Sequence, residues 1–326
     1  MKSPEKVEHV VFNAGAKITQ KQKDGLLHFV RNNRFLDEAE ISKENLTLVS
    51  KLKNNYLAWG KKILGIDLSE RAPDSTRVHI QPKDSAKALE ISSRHRGADE
   101  TLSGYAVREA EEIVIWEKTD RQSIKETLNH EFTHIFSHKS MIVKEQDKKF
   151  GLKIQNTGYS NLNNTRTTES GEKEESPILA GFDEMMTETI NIEVLNNLKK
   201  ENGQDYLEMS VGYYPGVLLL DMIIEKIAEK TKQNEKDIRK NLYRGYFQGK
   251  MGELRAIKNV FGLEAMNFLS RVKPLNLMDA GSMFASAEDI FKLDSQKYFS
   301  KVLDYEEGAT ITLSNGIKIK KYFPEI

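Results

Sequence analysis

Apolar residues recur at three- and four-residue spacing from Gln20 to Arg31 and from Lys43 to Leu64, and both stretches are predicted helices. In the second, Leu46, Val49, Leu52, Tyr56, Leu57 and Ile63 mark the apolar face, with Tyr56 and Trp59 assigned to the core. A short strand is expected over Val7 to Phe12, closed by Asn13-Ala14-Gly15. From Arg77 the period shortens to two. Arg77-Val78-His79-Ile80 and Gly104 to Val107 alternate, and Glu112-Ile113-Val114-Ile115-Trp116 is an apolar run with polar ends, so a small sheet is predicted. Helical spacing returns with Ile124, Leu128, Ile135 and Phe136, behind a cap at Thr119 or Asp120.

Residues Phe150 to Pro177 are rich in Asn, Thr, Ser, Gly and Glu, with turn signals at Asn156-Thr157-Gly158-Tyr159-Ser160 and Ser170-Gly171-Glu172. A β-hairpin or a mobile loop is expected there. A further helix opens near Gly181, and Pro215 suits the first position of another, in which Val217 to Ile227 is strongly apolar. Asn234 caps a helix through Tyr243, and Ser286 with Asp289 opens one running to about Leu303. The alternating segments around Asn315-Gly316 predict a terminal hairpin. The expected organisation is α+β: 1–75 a mostly helical packing region, 76–180 a lobe with a small mixed sheet and the first chemically loaded helix, 181–326 a mainly helical lobe.

Composition changes this picture little. The chain has 326 residues, 38% hydrophobic and 30% charged, with 49 basic against 49 acidic side chains. A formal charge of zero gives no field drawing the molecule to nucleic acid or an anionic membrane, and neither partner is expected. The absence of Cys removes thiolate sites and cysteine nucleophiles, leaving His, Asp and Glu to hold any metal. Met1 to Ala16 lacks an apolar run of signal-peptide length, and Tyr213 to Ile224 is too short for a span, so a cytoplasmic protein is expected, with export lacking a cleaved signal also compatible.

The chemistry concentrates at Asn129-His130-Glu131-Phe132-Thr133-His134. Residues four apart on an α-helix are offset by only about 40°, so His130 and His134 leave the same face one turn apart and can clamp one cation. Glu131 points to one side, where its carboxylate can take a proton from a metal-activated water. His138 continues the series, but it would lie about 12 Å along a straight helix from His130, too far to share an ion, and is expected to be a supporting or surface group. His79 and His95 have no ligand spacing. Downstream, Asp183-Glu184-Met185-Met186-Thr187-Glu188 puts two carboxylates on one helical face. Two His and a carboxylate around Zn²⁺ leave a fourth position open, the arrangement of a catalytic centre. Glu184 is taken as the third ligand and Glu188 as the group that orients a ligating His. The bland alternative is an acidic helix start favoured by the dipole.

These two motifs resemble the gluzincin metallopeptidases, the thermolysin-like group in which a downstream helix donates a glutamate ligand. The resemblance covers roughly a sixth of the chain. It implies a zincin-like fold, one Zn²⁺ on His130, His134 and Glu184, Glu131 as general base, and a peptide or protein substrate. The pattern departs in having Glu188 where such enzymes usually have Asp, and in having no His after His138. Other gluzincins use a Tyr to stabilise the oxyanion, which makes Tyr213 and Tyr214 candidates. The strand Glu112 to Trp116 is expected to pair with extended substrate, and Arg239, Arg244 and Tyr246 are expected to be structural or solvated rather than to reach a substrate carboxylate. A zinc-binding but catalytically silent peptide- or protein-binding module is the alternative reading. Substrate preference and oligomeric state stay open.

Overall fold

The computed structural model describes residues 4–321 apart from 9, 15–18, 33, 35, 37–40, 83–102, 108–110, 118–120, 147–148, 163–164, 168–172, 176–177, 202–206, 210–212, 274–279 and 307–309. The fold is mixed α+β with small sheets. The chain forms two compact units, one of residues 1–136, 140–153 and 324–326, the other of 137–139 and 154–323.

In the first unit, β1 (Glu5–Lys6) and β2 (Val11–Ala14) replace the single strand expected over Val7 to Phe12, and the chain continues extended through Asn13 and Ala14 instead of turning there. Helix α1 is Gln20–Asn32 and α2 is Lys43–Trp59, the latter capped by the Ser42 hydroxyl accepting from Asn45 N at 3.2 Å. A π-helical turn, Gly60–Leu64, carries α2 to β3 (Ile66–Asp67), so the predicted stretch to Leu64 is helical throughout. Tyr56 and Trp59 are buried as expected.

Strands β4 (Val78–Pro82), β5 (Gly104–Val107) and β6 (Glu112–Glu117) form a sheet in the order β4-β6-β5. Strand β6 pairs in parallel with β4 and antiparallel with β5. Its Ile113, Val114 and Ile115 are all fully buried, which explains the unbroken apolar run: both faces are covered. The expectation that β6 receives substrate is corrected here, because its backbone groups on both sides already serve neighbouring strands. His79, in β4, is buried and structural, while His95 and the proposed caps Thr119 and Asp120 lie outside the described residues.

Helix α3, Arg121–Phe136, packs on β5 and β6. Gly104 permits that approach: a Cβ there would stand 2.8 Å from Val114 O and 2.9 Å from Thr127 Cγ2. On the other side, Phe136 stacks on Tyr56 with ring centroids 4.6 Å apart. The helix ends where the buried Arg71 guanidinium takes over, its Nη1 donating to Phe136 O at 3.0 Å and its Nε to Glu8 O at 2.7 Å. A fixed cation there satisfies a carbonyl the helix leaves unpaired and complements its negative pole. Burial lowers the Arg71 pKa to about 10, against the raising effects of Glu111 and Glu8. Arg71→Met is expected to cost about 2–4 kcal/mol, since the buried Phe136 carbonyl and the partly buried Glu8 carbonyl lose their donor. A urea midpoint unchanged from wild type would show that the cap contributes nothing.

Two acids at turns in this unit make stability fall at low pH. The Asp67 carboxylate accepts from Ser69 N at 3.0 Å and Asp74 from Thr76 N at 2.9 Å, and these bonds hold both pKa values below the usual carboxylate range. A depressed folded pKa gives stabilisation that is present above the unfolded value and lost as pH falls through the folded one. Melting temperature is therefore expected to fall less steeply below about pH 4 in Asp67→Asn/Asp74→Asn than in wild type. Parallel curves would remove these two groups from the acid limb.

Strand β7 (Lys139–Gln146) pairs in parallel with β2. In the second unit, the end of β8 (Lys149–Thr157) pairs antiparallel with β9 (Ser160–Asn161), and β10 (Thr165–Thr167) with β11 (Lys173–Glu175). The described part of the polar stretch thus contains paired strands, and the turn signal at Ser170-Gly171-Glu172 lies outside the described residues. Helix α4, Ala180–Glu201, carries Phe182, Met186, Thr187, Ile190, Asn191 and Leu195, all essentially inaccessible. Successive residues buried around the circumference place it at the centre of the unit.

Around α4 pack α5 (Tyr214–Thr231), α6 (Glu235–Gln248) and α7 (Arg255–Arg271). Asn234 caps α6 as expected, its Oδ1 accepting from Lys236 N at 2.8 Å. The helix predicted from Ser286 to Leu303 is two helices, α8 (Ala280–Phe291) and α9 (Ser295–Glu306). The break is set by Lys292, at φ 53°, and by Asp294, whose Oδ1 accepts from Lys297 N at 3.1 Å and so starts a new helix. The terminal hairpin forms as predicted: β13 (Thr310–Thr312) pairs antiparallel with β14 (Lys318–Lys321), which pairs in parallel with β12 (Leu207–Met209). Among the described residues, no helix is long and apolar enough to cross a membrane.

Candidate metal centre

One face of α3 is sunk in the core through Leu128, Phe132, Ile135 and Phe136, which leaves His130 half-buried and His134 buried one turn later. Their Nε2 atoms are 3.2 Å apart and their ring centroids 4.9 Å apart. Two ligand nitrogens at tetrahedral angles around an ion with bonds of 2.0–2.1 Å stand about 3.3–3.4 Å apart, so the pair has a chelating separation. Within the helix the Thr133 hydroxyl donates to Asn129 O at 3.0 Å, and Tyr56 of α2 lies beside Thr133. Burial raises the Tyr56 pKa well above its ordinary value, more than its bond with Thr133 lowers it, so the phenol stays neutral.

Among the described residues, His130, His134 and Glu184 form a group able to hold a metal ion, with one donor atom from each lying within 4.8 Å of the others. Two imidazoles and a carboxylate are donors that several divalent transition metals accept, and three protein donors leave a coordination position open. Glu131, the residue between the pair in the motif, is buried. Glu188, one turn after Glu184 on α4, is also buried and accepts from Asn191 Nδ2 at 3.2 Å. Tyr214 is 2% exposed in the first turn of α5, while Tyr213, at the cap position, is only partly buried and is the more accessible phenol.

His138 does not continue the helical ladder, because α3 ends at Phe136. It is buried in the link beyond, where its N–H donates to Tyr246 O at 3.2 Å and its carbonyl accepts from Gly158 N at 2.8 Å. Arg239 and Tyr246 are also buried and structural; the Tyr246 hydroxyl lies 2.8 Å from Thr187 Oγ1. Sequence reasoning missed Arg71 as the cap of α3 and gave Asp183 no role beyond the acidic start of its helix. A separate open cavity of about 450 Å³, lined by Phe268, Arg271, Val272 and Met283 among others, includes none of the metal-group residues. No known protein family, curated protein or solved structure matches this chain.

Proposed function

We propose that this chain is a zinc-dependent peptidase of the gluzincin kind with a zincin-like fold, hydrolysing peptide bonds in a peptide or protein substrate. The observation that carries the reading is the gathering of the His130, His134 and Glu184 donor atoms within 4.8 Å, with the buried Glu131 beside the pair in sequence. Zinc supplies Lewis acidity toward water and the scissile carbonyl. Glu131 accepts the proton of the attacking water and delivers it to the leaving amine. A Tyr hydroxyl, Tyr213 or Tyr214, donates to the developing oxyanion. Glu188 orients a ligating imidazole by accepting its second N–H.

The test is a peptide library incubated with freshly purified protein, with and without a chelator, and read by mass spectrometry alongside metal content. Chelator-sensitive cleavage with one zinc per chain is expected. Zinc without cleavage would instead favour a silent binding module, and protein that takes up no zinc would end the metal reading.

A further inference from the structure

The third ligand sits on a helix whose start is stapled from several sides, and the staple has one polar centre. Leu179, at φ 64°, reverses the chain into α4, and its N–H donates to Ser270 O at 3.3 Å while Gly181 N donates to Val272 O at 3.1 Å. Asp183 N then donates to Leu179 O at 2.8 Å, closing the first turn. From the opposite direction comes the turn after β8. Gly158, at φ 53°, lies so close that a Cβ there would collide with the Asp183 carboxylate and the Tyr246 ring. The next N–H, that of Tyr159, donates to Asp183 Oδ1 at 2.7 Å, with both residues buried. The turn is anchored independently: Gly158 N is held by His138 O, and the Tyr159 hydroxyl donates to Leu242 O at 2.7 Å.

We infer that Asp183 is a positioning residue for the candidate ligand Glu184: by accepting the Tyr159 amide, it fixes the rotation and height of the first turn of α4 and so sets where the neighbouring carboxylate stands. This rests on the zinc reading above. A buried carboxylate with a main-chain donor cannot shift without leaving that donor unsatisfied, so the turn and the helix start move as one piece. The Gly158-Tyr159 turn, expected from sequence as part of a hairpin or mobile loop, becomes part of the scaffold of the metal centre.

The experiment compares zinc affinity, by competition with a chromophoric chelator, in wild type, Asp183→Ala, Asp183→Asn and Glu184→Gln, with melting temperatures recorded without and with zinc. Asp183→Ala is expected to weaken zinc binding about 10–100-fold, as loss of an orienting partner does. Asp183→Asn keeps an acceptor and is expected to stay within about threefold of wild type. A merely structural role would lower both melting temperatures of Asp183→Ala alike and leave its affinity at the wild-type value, which overturns the inference. If Asp183→Ala does not fold, wild-type amide exchange decides: zinc slows exchange at Tyr159 N–H, and unchanged exchange overturns the coupling. No zinc on wild type brings down the metal centre itself, whereas tight zinc on wild type and Asp183→Ala alike brings down this inference alone.

Discussion

Glu131→Gln is expected to lower kcat/KM for peptide cleavage by about 10²–10⁴-fold while zinc content stays at the wild-type level, because the amide preserves shape but cannot accept the proton. Glu131 is not in the proposed ligand set, so the substitution separates chemistry from metal binding. His134→Ala, by contrast, is expected to lose the metal together with the activity. Undiminished cleavage by zinc-loaded Glu131→Gln protein would remove Glu131 from the mechanism. It would leave the metal group as it stands, since that group rests on other side chains.

Arg239→Met is expected to destabilise the chain by about 3–5 kcal/mol, the cost of stranding a buried charge. Arg239 Nη2 donates to Asp221 and, at 2.5 Å, to Ser314 Oγ, and the two charged side chains are 3% and 1% exposed. Asp221 also accepts from Ser314 N at 3.0 Å and Ser314 Oγ at 2.7 Å, and Lys301 Nζ stands 3.5 Å away. Burial works to lower the Arg239 pKa, but Tyr243, Asp221 and Glu193 raise it above the ordinary value, so the guanidinium is charged. Among the described residues, removing it leaves Asp221 the hairpin turn and Lys301 as donors. Urea denaturation of Arg239→Met and of Asp221→Leu/Arg239→Met measures this. The double variant is expected to recover part of the loss, since a buried pair replaced by apolar side chains leaves no stranded charge. A loss below about 1 kcal/mol in the single variant would mean that water reaches the pair.

The parts of this fold that were legible in sequence are those where one period dominates. The ladder of Val49, Leu52, Tyr56 and Trp59 buries as a stripe, and the alternation from Gly104 to Val107 is the strand it predicts. The i, i+4 spacing of His130 and His134 was enough to bring their rings within reach of each other, because one helical turn puts both side chains on the same face. What could not be read depends on partners far away in the chain. Arg71 meets Phe136 O across 65 positions, and nothing local distinguishes it from a surface arginine. The break at Lys292 to Asp294 was hidden because apolar residues on either side keep a nearly helical spacing across it. Strand β6 was readable as a strand from its apolar run, but whether its edges are open is a property of strand order, which periodicity does not carry.

Helix α4 has a kinetic consequence. Because most of its residues are buried, the amide protons in its middle exchange with solvent only when the surrounding helices come apart, so the slowest isotope labelling of this half of the chain is set by the opening of the whole assembly of helices. Glu184 stands in its second turn and comes into register only when that assembly closes. A nascent polypeptide therefore cannot assemble the proposed metal group until synthesis has passed well beyond Glu184, its third member.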